Sequence, residues 1–257
     1  MSDAANPTAR PSDSGNTAAT HTDPTQKDFG ERDFIDAPLH LLFRSHPWHG
    51  VAIGPKAPAV VTSFIEIVPT DTVKYEVDKA TGHLKVDRPQ RFSNLCPTLY
   101  GFIPQTWCGP ATGAFCAERT QREHIMGDGD PMDICVLSER PIAHGGILLQ
   151  AIPIGGLRMI DQREADDKII AVLMGDAVYG GWRDISDCPA SLIDRLRHYF
   201  LTYKEVPGDS DERPRVEITH VYGRDEAHAA IEASRKDYRE KYGILEAGLN
   251  RLMGGGF

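Results

Sequence analysis

The residues best suited to chemistry lie in GDGDPMDICVLSE at 127–139, where three carboxylates precede an apolar run. Asp128, Asp130 and Asp133 fall within six positions, directly before Ile134. Carboxylates this close repel one another unless positive charge lies among them. Three structures fit such a run: a calcium-binding loop, an acidic turn that faces solvent, or a divalent-metal site that does chemistry.

The spacing excludes a calcium loop of the EF-hand type, which needs oxygen ligands at positions 1, 3 and 5 and glycine at position 6. Counted from Asp128, position 5 is Met132 and position 6 is Asp133. A haloacid-dehalogenase phosphatase is excluded because its nucleophilic aspartate follows a buried strand, whereas here the apolar run follows the acids. The acidic turn stays open, since Asp-Gly and Asp-Pro are common in turns.

A second acidic cluster favours the metal site. DQREADDK at 161–168 places Asp161, Asp166 and Asp167 between two apolar runs, with Lys168 at its end. Acidic loops on neighbouring strands can converge on hard cations, and carboxylate oxygens suit Mg²⁺ or Mn²⁺. Two such ions about 3.5–4 Å apart can hold a phosphoryl group and generate hydroxide from bound water.

Basic residues complete a pattern suited to a phosphate substrate. Lys74 shares a predicted strand face with an acid, and Arg88 closes the hairpin that follows. Lys168 follows the second acidic cluster, and Lys204 ends a predicted helix in which Tyr203 fits the apolar face. Each alone is more often a surface or core residue. Together with the acids they suit a metal complex of a compact polyanion, in which the bases neutralise phosphate oxygens.

The composition is that of a soluble globular protein, with 257 residues, 40% hydrophobic and 25% charged. A net charge of -9 disfavours a surface that wraps DNA. No run approaches about 18 apolar residues, so no membrane span is predicted, and the N-terminus lacks the apolar stretch of a signal peptide. Five cysteines without a CxxC pair predict reduced thiols in the cytoplasm.

The N-terminal part is predicted to contribute little to the folded core. Residues 1–34 contain no Val, Ile or Leu and are predicted to be a disordered tail. Residues 35–60 carry apolar groups interrupted by Pro and Gly, which is typical of an irregular arm that wraps a core. Residues 35–257 are predicted to be one domain.

Strand patterns precede helix patterns along the chain. Alternating or β-branched runs predict strands at 60–68, 73–78, 83–88, 134–137, 146–154, 168–174 and 216–222. Helical spacing predicts one helix over 190–204 and another from about Asp225, as N-cap, to Tyr242 before Gly243. This order predicts an α+β, mainly β fold with a small barrel flanked by helices.

Over about residues 46–222 the chain resembles the soluble family I inorganic pyrophosphatases. The strongest element is DGDPMD at 128–133, followed by an apolar strand. Seven further segments stand in matching order: FIEI (64–67), KYEVDK (74–79), VDR (86–88), YGFIP (100–104), RMID (158–161), EADDK (164–168) and HYFLTYK (198–204). The resemblance implies a distorted five-stranded OB-like β-barrel flanked by helices, in a catalytic domain over 35–257 that forms a homo-oligomer.

The resemblance also implies roles for the matching residues. Asp130 resembles the carboxylate that holds the nucleophilic water and accepts its proton, and Tyr100 matches an active-site tyrosine. Six acids resemble the metal-binding set: Asp128, Asp133, Asp161 and Asp166, with Glu66 and Glu76 acting through water. Six residues resemble the substrate-binding set: Lys74, Arg88, Tyr100, Lys168, Tyr203 and Lys204. The implied cofactor is several Mg²⁺ ions, for which Mn²⁺ or Zn²⁺ could substitute.

The implied reaction is hydrolysis of pyrophosphate, a small-molecule substrate, by direct attack of metal-activated water, without nucleic acid or membrane. Phosphoryl transfer relies on positioning and electrostatics, so no Ser or Cys nucleophile is needed. Two alternatives are a non-catalytic OB-like module that binds phosphate or nucleic acid, and a related fold without activity. Acids inside the predicted binding loops disfavour the first. The clustered like charges disfavour the second alternative, because a protein without activity has no physical need for them.

The chain departs from the family pattern in two places. Cys96 and Leu99 in CPTLYG (96–101) stand where relatives often carry Tyr and Asn, so a tyrosine proton donor at position 96 is absent. A thiol there is either inert or sensitive to oxidation. Residues 105–127 form a longer connection than the short bacterial type, for which a lid and an oligomer contact are alternatives.

Overall fold

The computed structural model describes residues 45–204 and 216–254, with side chains described as far as residue 243. The predicted tail (1–34) and the first part of the predicted arm (35–44) lie outside the described residues. Residues 45–60 form turns and bends, as the Pro and Gly pattern predicts, and Trp48 is buried among them. The extent of the domain over 35–257 stays a prediction.

Strands dominate the described residues. In chain order they are β1 (Val61–Ile67), β2 (Val73–Val77), β3 (Leu84–Pro89), β4 (Leu99–Phe102), β5 (Met126–Gly127), β6 (Asp133–Leu137), β7 (Ile147–Asp161), β8 (Glu164–Ala165), β9 (Lys168–Leu173) and β10 (Val216–Gly223). The helices are α1 (Pro110–Thr120), α2 (Ala190–Thr202) and α3 (Arg224–Gly254), with a short 3₁₀ turn at Ile185–Asp187. No helix in these ranges is long and apolar enough to cross a membrane.

Five strands close into a distorted barrel in the order β1, β4, β6, β9 and β7, and β7 pairs back with β1. All of these pairs are antiparallel except β6 with β9. The register of β7 against β9 shifts between Pro153 and Gly155, and the second half of β7 pairs with β10. The structure confirms the predicted mainly β fold with a barrel and flanking helices.

The two faces of the barrel strands pack against different helices. On β6, Ile134 belongs to the core cluster that includes Ala230 of α3, whereas Cys135 belongs to the cluster that includes Leu196 of α2. Strands β6 and β9 are therefore buried on both faces, which explains their continuous apolar runs. The hairpin of β2 and β3 forms a separate two-stranded sheet, as predicted.

Helix α3 differs from its prediction at both ends. It begins at Arg224, and the backbone N–H of Arg224 donates to the Asp184 carboxylate at 2.8 Å, so a distant side chain caps it in place of Asp225. Gly243 does not end the helix, which continues to Gly254. One glycine within a helix costs only about 1 kcal/mol relative to alanine, and the residues that follow include good helix formers. The predicted boundaries were wrong for these reasons.

Candidate functional site

All thirteen residues predicted for the site line one cavity of about 320 Å³. The cavity lies where the barrel strands, the β2–β3 hairpin, loop 128–133 and the segment after α2 meet. Eight carboxyl side chains line it: Glu66, Glu76, Asp128, Asp130, Asp133, Asp161, Glu164 and Asp166. Five cationic side chains line it: Lys74, Lys79, Arg88, Lys168 and Lys204. Tyr100, Tyr199 and Tyr203 also face it.

The first acidic cluster forms a tight loop ahead of β6. Gly129 has a φ of 80°, a left-handed conformation that other residues adopt only with strain. The backbone N–H of Asp130 donates to Asp128 Oδ1 at 2.9 Å. This turn brings Asp128 and Asp130 to the same cavity as Asp133, the first residue of β6.

Lys168 lies at the centre of the acidic residues, and its side chain is only 2% exposed. The parallel register of β6 and β9 sets Asp133 beside Lys168, whose ammonium donates to Asp133 Oδ2 at 2.5 Å and to Asp166. Tyr100 donates its hydroxyl hydrogen to the same Asp133 oxygen at 2.6 Å. Burial opposes the lysine charge, but the attraction of Asp133 and Asp166 outweighs it and raises the pKa of Lys168 well above its usual value.

The other lysines of the cavity are also paired with acids. Lys204 donates to Asp161 Oδ2 at 2.5 Å. Lys79 donates to Asp130, and Lys74 lies 3.2 Å from Glu76 on the same face of β2. Arg88 lies opposite Lys74 in the register of the hairpin. All four lysines of the cavity are therefore paired with acids of the same cavity.

Two carboxyl groups of the cavity have strongly raised pKa values. Burial, and then repulsion from Asp166, raises the pKa of Asp128 to about 8. Burial raises the pKa of Glu66 to about 8, although the backbone N–H of Val77 donates to it at 2.6 Å. Such groups hold a proton at neutral pH unless more positive charge reaches them. Their hard oxygen donors fit a divalent cation such as Mg²⁺.

The carboxyl groups do not form a ready cage around one point. Within the described parts of the chain, no three His, Cys, Asp or Glu side chains are arranged to hold a metal ion. The ammonium groups of Lys79, Lys168 and Lys204 lie against the acids instead. The cavity nevertheless keeps more carboxyl groups than cationic groups, so the donor set fits added cations.

The two acids at 166 and 167 point to different places. Asp166 lines the cavity, whereas Asp167 is buried and pairs with Arg158 at 2.7 Å. Lys79 and Glu164 also line the cavity, and no role was predicted for either of them. Both stand in the segments KYEVDK and EADDK that carry the resemblance, and that signal could have found them.

Cys96 is a buried thiol beside the cavity. Its side chain is 1% exposed, and burial raises its pKa to about 11 although Thr98 and Tyr199 hydrogen-bond to it. A thiol in this state is an inert core residue at neutral pH, because the thiolate is the reactive form. The same holds for the other cysteines, since all five are buried and unpaired.

We therefore expect the folded protein to resist thiol alkylation. Iodoacetamide at neutral pH should label none of the five buried cysteines rapidly, while the unfolded protein takes five labels. Mass spectrometry of peptides from both samples measures this. Fast labelling of Cys96 in folded protein would contradict its assignment as an inert thiol.

The family profile and the similar proteins described below all belong to the inorganic pyrophosphatases. The sequence profile of the inorganic pyrophosphatases matches residues 63–239. The inorganic pyrophosphatase of Chlamydia caviae is 53% identical over 199 residues, which cover 77% of this chain and 92% of that protein. The soluble inorganic pyrophosphatase of Oryza sativa subsp. indica is 40% identical over 194 residues, covering 76% of this chain and 79% of that protein.

Solved structures agree with the sequence comparison. The crystal structure of the inorganic pyrophosphatase from Thermus thermophilus matches with a TM-score of 0.62 and 29% identity, covering 76% of this chain and 99% of that chain. The barrel thus has the OB-like fold of these enzymes. The chain belongs to the inorganic pyrophosphatase family, whose reaction is the hydrolysis of pyrophosphate.

Proposed function

We propose that this chain hydrolyses inorganic pyrophosphate to two orthophosphates with Mg²⁺ ions held in the cavity. The observation that carries the proposal is the make-up of the lining, where eight carboxyl groups stand beside five cationic groups. Two of these carboxyl groups, Asp128 and Glu66, hold a proton at neutral pH without added positive charge, so the full set of oxygen donors ionises only when cations bind. Mg²⁺ suits carboxylate oxygens and completes its shell with water and substrate phosphate. Mn²⁺ or Zn²⁺ could take its place.

The acidic residues have two tasks in this proposal. Four direct ligands hold the ions, with two further acids acting through water: Asp128, Asp133, Asp161 and Asp166, then Glu66 and Glu76. Divalent cations held by these residues would lower the pKa of water and so favour the nucleophile. Asp130 orients the attacking water and accepts its proton, and its half-exposed carboxylate faces the cavity.

Tyr100 holds one of these ligands in place. Its hydroxyl donates to Asp133 Oδ2 at 2.6 Å. Burial, and then the charge of Asp133, raises the pKa of Tyr100 well above its usual value, so the hydroxyl keeps its proton and remains a donor. Tyr100 therefore orients Asp133, on which Lys168 also converges.

The bases bind the phosphate groups. Five residues form this set with Tyr100: Lys74, Arg88, Lys168, Tyr203 and Lys204. Lys168 and Lys204 lie beside predicted metal ligands, so their ammonium groups would be placed to bind a phosphate held at the same end of the cavity. Charge that develops on the leaving phosphate is stabilised in the same way.

The cellular setting is part of the proposal. We place the enzyme in the cytoplasm as a homo-oligomer, with no nucleic-acid or membrane partner. The reduced, buried cysteines support the compartment. A nucleic-acid-binding module of this fold would need a basic groove, whereas the cavity here is acidic.

Binding of a non-hydrolysable analogue tests the role of the cations. Imidodiphosphate should bind to the protein with Mg²⁺ present and show at least about 100-fold weaker binding in EDTA, because the cations that join the carboxylates to the phosphate oxygens are then removed. Isothermal titration calorimetry measures both constants. Equal affinity in Mg²⁺ and in EDTA would contradict the proposed metal site.

A further inference from the structure

The connection 105–127 begins with residues that contact the acidic loop directly. Trp107 donates its indole Nε1–H to the carbonyl oxygen of Gly129 at 2.9 Å. The backbone N–H of Cys108 donates to the carbonyl oxygen of Asp130 at 2.7 Å, and that of Gly129 donates to the carbonyl oxygen of Cys108 at 2.9 Å. The loop that carries Asp128 and Asp130 is thus bonded to residues 107–108.

The two backbones lie in direct contact at Gly127. A Cβ atom on Gly127 would come within 2.2 Å of the carbonyl oxygen of Cys108, so no side chain fits there. Gly129, whose backbone is left-handed, likewise has no side chain that could anchor the loop. The path of residues 128–130 therefore depends in part on where residues 107 and 108 are held.

Helix α3 holds residues 107–109 from the other side. The backbone N–H of Trp107 donates to the carbonyl oxygen of Ser234 at 3.0 Å. The ammonium of Lys241 lies 3.6 Å from the centre of the Trp107 six- and five-membered ring system, a cation–π contact. Ser234, Asp237 and Lys241 fall at helical spacing, so one face of α3 carries all three.

Asp237 makes the strongest of these links. Its carboxylate accepts hydrogen bonds from the backbone N–H groups of Gly109 (3.0 Å), Ala111 (2.8 Å) and Thr112 (2.8 Å), and from the Thr112 hydroxyl (2.9 Å). The residue is 1% exposed. Gly109, the N-cap of α1, supplies no side-chain cap, so Asp237 fills that role from a distant helix.

We propose that Asp237 and Trp107 are positioning residues for the metal-binding loop. Asp237 fixes residues 109–112 on α3, and Trp107 and Cys108 then fix the backbone that spaces Asp128 and Asp130. This gives the connection 105–127 a purpose other than a lid or an oligomer contact. The inference rests on the proposed metal role of the loop, and neither residue touches the cavity's substrate space.

The test is Mn²⁺ affinity of the full-length protein without substrate, measured by electron paramagnetic resonance of free Mn²⁺. Trp107→Phe removes the indole donor to Gly129, together with part of the ring volume, and keeps an aromatic ring beneath Lys241. We expect it to weaken Mn²⁺ binding about 3- to 10-fold, the effect of one hydrogen bond. Asp237→Asn replaces one of the two oxygens that accept these four hydrogen bonds with an NH₂ group that cannot accept, and it should weaken binding further.

The matched control is Trp182→Phe, which removes an indole N–H from a ring that stacks on Tyr179 outside the cavity. It should bind Mn²⁺ as the wild type does. In kinetics, Trp107→Phe should raise the Mg²⁺ concentration for half-maximal rate by the same factor as its loss of Mn²⁺ affinity. Because the same loop carries Asp130, the kcat of Trp107→Phe at saturating Mg²⁺ should also fall, but by less than the loss expected for Asp130→Asn, since the Asp130 carboxylate is still present.

The outcomes separate this inference from the proposed function. If Trp107→Phe binds Mn²⁺ with wild-type affinity, the positioning role is wrong, whatever Asp237→Asn does to stability. If the wild type itself binds no Mn²⁺, the proposed metal site is wrong, and the positioning role inferred from it is wrong as well. Weakening by both variants, with the control unchanged, supports the inference.

Discussion

Replacing Asp130 with Asn is expected to lower pyrophosphate turnover by about 10²–10⁴-fold, the usual contribution of a positioned general base. The amide has the shape of the carboxylate but cannot accept the proton of the attacking water. The fold should survive, because the Asp130 side chain is 46% exposed and its ion pair with Lys79 is a surface contact.

Orthophosphate release at saturating Mg²⁺ measures this loss, and thermal unfolding shows whether the variant folds. The control is Asp194→Asn, an exposed carboxylate on α2 that pairs with Arg197 outside the cavity. It should keep wild-type turnover. Near-full activity of Asp130→Asn in folded protein would mean that another group takes the proton.

Replacing Arg158 with Leu is expected to lower the free energy of unfolding by about 3–5 kcal/mol, as when one partner of a buried ion pair is removed. The Arg158 side chain is 1% exposed and pairs with Asp167 at 2.7 Å and with Glu226 at 2.8 Å. Its guanidinium lies 4.9 Å from the ring centres of Phe115 and of Tyr222. Leucine leaves the buried Asp167 without its cation.

The loss of unfolding free energy in Arg158→Leu should be larger at high pH than at low pH. Burial already raises the pKa of Asp167 to about 6, although Arg158 and Tyr222 oppose that shift. The folded state therefore binds more protons than the unfolded state between about pH 4 and 6, so this group makes stability fall as pH rises. Without Arg158 the folded pKa rises further, and the destabilisation should be larger at pH 8 than at pH 5.

Urea unfolding in EDTA at the two pH values measures this effect. The matched control is Arg197→Leu on α2, whose partly exposed ion pair with Asp194 should contribute less than about 1 kcal/mol. Adding Asp167→Asn to Arg158→Leu should recover part of the loss by removing the unpaired charge. A loss below 1 kcal/mol for Arg158→Leu, or one that is equal at both pH values, would contradict this account.

The strands and the meeting of the two acidic clusters could be predicted because their signals are local, whereas the five-stranded barrel and the full set of candidate site residues came from the family resemblance. The apolar runs at 134–137 and 168–174 correspond to β6 and β9, and the acids beside each run stand at strand ends that meet at one cavity. Neighbouring strands carry the residues at their ends to the same end of the barrel. The pattern therefore predicted that the two clusters meet, and Asp133 lies opposite Lys168 in the register of β6 and β9.

The parts that were missed depend on contacts distant in sequence. Helix α1 lacks a side-chain cap of its own, and Asp237 of α3 supplies it. The start of α3 is likewise capped by Asp184. No local pattern contains either contact. The burial that makes Cys96 inert comes from packing with residues such as Tyr199, which the sequence does not place beside it.

Orthophosphate release from pyrophosphate is the most direct test of the account. The folded protein should release orthophosphate rapidly with Mg²⁺, none above background with EDTA, and far less when ATP replaces pyrophosphate. That result would establish both the metal requirement and the substrate class. Folded protein that releases nothing with any divalent cation, or releases as much in EDTA as in Mg²⁺, would contradict the proposed metal-dependent hydrolysis.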